Sequence, residues 1–272
     1  MRHVGGMGTM QAGLESRLMR LLILTLGLLW GGSALAQFAA VPVAGTVIVG
    51  SASSRTDGSG RRAEEVRPLE SFSAIRIDGP IDVVLKASDR EQVTVNFDDN
   101  LLQLVETRVI AATAPALEVR IQPSAGFKSS RKPKVVIEFK SISALSLRGS
   151  GDVHADVLRG PLLAISIAGS SDVKVDHMDV DVLGVSIGGN GDFAATGRAD
   201  EQGFNIAGSG DVLAGDLVGQ TVKVRIAGSG DVRVHAQQLL DVAVAGAGDV
   251  LYRGSPMIRK SIAGSGEVRK AK

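Results

Sequence analysis

One seven-residue phrase returns throughout the second half of this chain, and no other feature restricts its fold so tightly. It reads Leu147-Arg-Gly-Ser-Gly-Asp-Val153, then Ile167-Ala-Gly-Ser-Ser-Asp-Val173, then Ile187-Gly-Gly-Asn-Gly-Asp-Phe193. It returns as Ile206-Ala-Gly-Ser-Gly-Asp-Val212, Ile226-Ala-Gly-Ser-Gly-Asp-Val232, Val244-Ala-Gly-Ala-Gly-Asp-Val250 and Ile262-Ala-Gly-Ser-Gly-Glu-Val268. The acidic residues Asp152, Asp172, Asp192, Asp211, Asp231, Asp249 and Glu267 are 20, 20, 19, 20, 18 and 18 residues apart. A near-constant period of this size means stacked repeats, none of which can bury its apolar face alone.

Within one repeat the apolar residues alternate. Val173 and Val175 flank Lys174, Val180 and Val182 flank Asp181, and Val185 and Ile187 flank Ser186. Period-two runs of β-branched residues predict three short strands per repeat, each sending its apolar side chains to one face. Polar or glycine-containing pairs between them supply corners. The expected fold class is therefore all-β, a right-handed parallel β-helix (solenoid) of about 20-residue coils that rise about 4.8 Å each.

The phrase itself reads as a structural corner ladder. Gly149, Gly151, Gly169, Gly189, Gly191, Gly208, Gly210, Gly228, Gly230, Gly246, Gly248, Gly264 and Gly266 are the candidate turning points. Glycine adopts positive φ without steric penalty, which a sharp corner requires. Aspartate accepts local backbone N–H bonds, and stacking sets each acidic residue one strand spacing from the next. Carboxylates that close repel, so each needs N–H donors of its own.

Ahead of the repeats, residues 1–36 have the layout of an export signal. Arg17 and Arg20 precede an apolar run from Leu21 to Trp30, and Ala34-Leu-Ala36 offers small residues for cleavage. The run is too short to span a bilayer. Residues 37–66 are small and polar and read as a flexible linker. The β pattern starts near Arg67, so one domain is expected over 67–272. Its part 67–145 is an irregular N-terminal cap, in which Gly79-Pro-Ile-Asp-Val83 resembles the repeated corner, and 146–272 carries the regular repeats.

Charge and composition exclude several functions. The signal holds Arg2, Arg17, Arg20 and Glu15, which leaves 27 basic and 28 acidic residues, a balance unsuited to nucleic acid or a polybasic membrane patch. The cluster Lys128-Ser-Ser-Arg-Lys-Pro-Lys134 reads as a solvated loop. There is no cysteine, hence no disulfide. His3, His154, His177 and His235 are scattered without metal-ligand spacing, and no serine has the partners of a nucleophile. No catalytic residue, cofactor or metal ligand is expected. Two alternatives remain open: a polysaccharide-acting β-helix enzyme using the aspartates, and a calcium-stabilised scaffold. The aspartates sit in tight corners rather than facing each other across a groove, and one carboxylate per coil gives calcium few ligands.

The stretch Phe72-Ser-Ala-Ile-Arg-Ile-Asp-Gly-Pro-Ile-Asp-Val-Val-Leu85, the segment Leu117-Glu-Val-Arg-Ile121 and the repeated Gly-Ser-Gly-Asp-Val together resemble the putative auto-transporter adhesin, head GIN domain family over about residues 70–270. The resemblance implies a right-handed β-helix in an exported bacterial envelope protein, with no catalytic residues to carry over. The last repeat ends at Glu267-Val268 and only Arg269-Lys-Ala-Lys272 follows, so no translocator barrel is expected and the periplasm is the expected compartment. The terminal Lys and Arg oppose self-association through an open solenoid end, although a homo-oligomer stays compatible with the pattern. The expected partner is a protein or polysaccharide of the envelope or cell surface, met along an extended face.

Overall fold

The computed structural model describes residues 55–123 and 126–272. The expected signal and residues 37–54 of the expected linker lie outside these residues. The described chain is almost entirely β-strand, with one 3-10 turn at Leu102–Leu104.

The N-terminal part contains β1 (Thr56–Asp57), β2 (Arg62–Pro68), β3 (Ala74–Asp78), β4 (Asp82–Ala87), β5 (Gln92–Asp98), β6 (Val105–Ile110), β7 (Ala116–Ile121), β8 (Phe127–Lys128) and β9 (Lys134–Phe139). The repeats begin with β10 (Ala144–Gly149) and continue as β11 (Val153–Gly169), β12 (Val173–Gly189), β13 (Phe193–Gly208), β14 (Val212–Gly228) and β15 (Val232–Gly246). The chain then forms β16 (Val250–Arg253), β17 (Met257–Gly264) and β18 (Val268–Lys270).

From β10 onward every pairing is parallel and sequential, as stacked coils require. The solenoid expected from the period is thus the observed architecture. Each of β11 to β15 is a whole coil that bends as it runs. In β12 the buried positions are Val173 and Val175, then Met178 and Val180, then Leu183, Val185 and Ile187. The middle of the coil differs from the alternation expected there. Met178 takes an inward place, and Val182 is only half-buried because the bend falls beside it and hands the core to Leu183.

Stacking makes columns of like residues. Val119, Ile77, Leu147, Ile167, Ile187, Ile206, Ile226 and Val244 form one buried column across eight strands. Val135, Val83, Val153, Val173, Phe193, Val212, Val232 and Val250 form another, just after the corner. Burial of this aliphatic surface is the main driving force, at about 25 cal/mol per Å². The unequal coil lengths are absorbed in one place. Register shifts fall between Val175 and Met178, between Ala194 and Thr196, and from Ala214 to Thr221, all before the long final segment.

The N-terminal part closes the stack by reversing strand direction. β3 and β4 form a coil like the later ones, but it lies between β7 and β9 on one side and β10 and β11 on the other. Beyond β7 and β9, strands β6 and β5 pair antiparallel, and β2 adds antiparallel to β5. The cap starts earlier than the composition indicated. β1 pairs with β8, and the Gly58 N–H donates to the Lys128 carbonyl at 2.8 Å, so part of the expected linker 37–66 is sheet. Small polar residues there suggested a linker, but alternate pairing partners from distant sequence hold them.

Candidate functional site

The corner residues are brought together in one continuous ladder. The first glycine of each phrase, at 149, 169, 189, 208, 228, 246 and 264, has φ between +127° and +145°. A Cβ on Gly208 would overlap the carbonyl oxygen of Gly189, so this position needs glycine for both conformation and space. The second glycines, Gly151, Gly191, Gly210, Gly230, Gly248 and Gly266, do not have positive φ. Their Cβ positions point at carbonyl oxygens of the previous coil. Ser171 occupies that same place in its corner and is buried.

The acidic residues are linked through their backbones. Each N–H donates to the carboxylate of the preceding corner: Asp192 to Asp172 at 2.9 Å, Asp211 to Asp192 at 2.7 Å, and Asp231 to Asp211 at 2.8 Å. Asp249 donates to Asp231 at 2.9 Å and Glu267 to Asp249 at 2.8 Å. Asp172 donates to Asp152 at 3.5 Å, a weak contact, and Asp152 to Asp82 at 3.2 Å. The ladder thus starts at Asp82 and Gly79, whose φ is +114°. The likeness of Gly79-Pro-Ile-Asp to the phrase was visible in the sequence, but Asp82 as the first rung was not. Ladder carboxylates that accept from the next coil have less capacity for a cation. Lys132, from the basic cluster, lies over this first corner, donating to the Ser150 carbonyl at 2.8 Å and standing 3.5 Å from Asp82.

Two further surfaces emerge only in the folded chain. On the outer side of the final coil segments, Ser146, Ser166, Ser186 and Asn205 stand in register. Beside them run Ala144, Ala164, Gly184 and Gly203, and on the other flank Ala168, Gly188, Ala207, Ala227 and Ala245. On the segment that follows the corner, His154, Asp156 and Asp176 bring their ligand atoms within 4.8 Å of one another. His154 Nε2 is 2.6 Å from Asp176 Oδ2, and Lys174 Nζ is 3.0 Å from Asp176 Oδ1. Hydrogen bonds from Lys174, then from His154, hold the Asp176 carboxyl below its ordinary range. His177 and His235 stand outside this group, and His3 lies outside the described residues.

In the cap, Glu118 is buried beside Arg108, Arg76 and Arg120, with Arg108 Nη2 at 2.7 Å. Arg120 also meets Glu106 at 2.8 Å, which with neighbouring carboxylates raises its pKa. This network joins β3, β6 and β7 and reads as the fastening of the cap. Among the described residues no helix is long and apolar enough to cross a membrane.

A family model described as putative auto-transporter adhesin, head GIN domain, matches residues 71–256. A putative adhesin from Bacteroides fragilis is similar in structure, with a TM-score of 0.75 and 25% identity over 79% of this chain and 99% of that one. A protein from Parabacteroides distasonis described as a putative lipid binding protein has a TM-score of 0.65 and 27% identity, covering 80% of this chain and 100% of that one. A putative adhesin from Parabacteroides merdae, 21% identical with a TM-score of 0.60 over 80% of this chain and 99% of that one, shares the fold. No curated protein matches the chain.

Proposed function

The chain belongs to the putative auto-transporter adhesin, head GIN domain family, and we propose that it is a non-enzymatic, exported envelope protein that binds a protein or polysaccharide along its solenoid. The outer sheet of the final coil segments supports this reading above all. Its rows of Ser, Ala and Gly keep the surface level from β10 to β13, before exposed Lys223 and Arg225 continue the rows on β14, so an extended partner can approach the backbone across these coils. Ser166, Ser186 and Asn205 are exposed and repeat their polar groups about every 4.8 Å, a spacing suited to a repetitive polymer or an extended segment of chain. The corner ladder serves the scaffold, because its carboxylates are engaged between coils.

The test uses the full chain with Ser166→Arg and Ser186→Arg, which crowd the level face, and Asp179→Arg on another exposed face as control. Binding to isolated envelope polymers and to whole cells is measured for each. Loss of binding in the two serine variants alone, with unchanged melting, is the expected result. Equal binding by all three would remove this face from consideration. Release of new reducing ends or unsaturated products from acidic polysaccharides would replace the binding role with an enzymatic one. Protease digestion on intact cells, against digestion only after the outer membrane is opened, separates surface display from the expected periplasmic location.

A further inference from the structure

We propose that His154, Asp156 and Asp176 form a site for one divalent transition-metal ion of the zinc class on the outer surface of the solenoid. His154 and Asp156 are two residues apart on an extended strand, with Val153 and Ala155 between and beside them in the core, so both project outward. Asp176 comes from the next coil, where Ala155 pairs with Val175 and His154 with Lys174. The three ligand atoms therefore converge from two register-locked strands rather than from loops, and they lie within 4.8 Å of one another. Thr196, one coil further, donates from its hydroxyl to the Asp176 backbone carbonyl and steadies that strand.

The donor set selects the ion. One imidazole nitrogen and two carboxylates suit zinc, cobalt, nickel or manganese, whereas calcium takes six to eight oxygens and no imidazole. Three protein ligands on an exposed face leave the remaining positions to water. The ladder repeats in every coil, but this trio does not. The positions matching His154 are Val84 in the coil before and Ala194 two coils on, and Lys174 takes the place between. The stacking of the coils therefore does not require a histidine and two aspartates here. Lys174 is the competitor, since its ammonium holds Asp176 Oδ1 while Oδ2 faces His154.

The experiment is calorimetric titration of the chelator-treated full chain with zinc chloride, repeated for His154→Gln, Asp156→Asn and Lys174→Ala. One equivalent should bind. The His154 and Asp156 variants should each weaken binding about tenfold or more, while melting without metal stays unchanged because these side chains are outside the core. Lys174→Ala should tighten binding by freeing the second oxygen of Asp176, which a purely structural role for the trio would not produce. Absence of saturable binding would overturn the site. So would unaltered affinity in the His154→Gln variant, weaker binding in Lys174→Ala, or displacement of zinc by equimolar calcium.

Discussion

The carboxylate of Asp192 accepts the backbone N–H of Asp211 at 2.7 Å, so a side chain in one coil satisfies a main-chain donor in the next. The same bond recurs along the solenoid, and it explains how a column of like charges is tolerated. Each carboxylate is held by a donor from the coil above, and the bond is charge-assisted. The ladder adds a side-chain bond to the backbone bonds that already cross each corner, such as Ser209 N–H to the Gly189 carbonyl and Phe193 N–H to the Asp211 carbonyl, both at 2.9 Å.

Asp211 tests this directly, because its carboxylate accepts from Asp231 at 2.8 Å. Asp211→Ala removes the acceptor and should cost about 1–2 kcal/mol in urea unfolding. Asp211→Asn keeps an oxygen acceptor and relieves repulsion, so its loss should stay within about 0.5 kcal/mol. Equal losses in the two variants would show that the charge, not the hydrogen bond, matters.

The two glycines of a corner should respond differently. Gly208 has φ +145° and no room for a Cβ beneath the Gly189 carbonyl, so Gly208→Ser should destabilise by more than about 1 kcal/mol. A Cβ on Gly210 would likewise crowd a carbonyl oxygen, that of Gly191, but Gly210 lacks a positive φ and Ser171 already occupies the equivalent place in another corner, so Gly210→Ser should cost less. Thermal unfolding of the two variants gives the order, and the reverse order would reject the distinction.

Features repeated in every coil were legible in the sequence. The alternation of Val185 and Ile187 and the spacing of the aspartates each express one constraint many times over, so the solenoid followed from them. Features set once, by pairing between distant segments, were not. The placement of β3 between β7 and β10, and of β4 between β9 and β11, depends on contacts such as Ile75 with both Leu117 and Leu145, which no local pattern announces. The bend that exchanges Val182 for Leu183 is similarly a property of the stack. His154 and Asp176 looked unrelated because they are 22 residues apart, and only the register places them side by side.

Gln202 is another such residue. It interrupts a buried column between Leu183 and Val222, and its Nε2 donates to the carbonyls of Ala199 at 3.2 Å and Leu217 at 3.0 Å. Leu217 lies within the register shift between Ala214 and Val218, so the amide N–H supplies a donor to an oxygen there, while its own Oε1 is buried without a partner among the described residues. Gln202→Glu turns a carboxylate toward two carbonyls at a site only 3% exposed, and should destabilise by about 3 kcal/mol or more at pH 7. Burial would raise the pKa of the introduced acid, so the penalty should grow as pH rises above its unfolded value and shrink toward pH 4. Chemical denaturation at the two pH values measures this, and a pH-independent penalty would contradict it.

Lys260 occupies a position that is apolar in the coils below it. It pairs with Val242, at the head of a column containing Val224, Phe204, Val185 and Ile165, yet it is exposed on β17 beside Ile258 and Ile262. An inward-pointing lysine on a strand of this kind deters pairing with another chain, since a partner would have to bury its ammonium. Lys260→Val should therefore raise self-association of the 272-residue chain in sedimentation at equal concentration. Arg259→Val is the control, because Arg259 pairs with Asp241 on the outward row of the same strand and adds comparable apolar surface there. Association driven equally by both variants would point to general hydrophobicity. Association confined to Lys260→Val would identify the inward charge as the feature that keeps the coil edge unpaired.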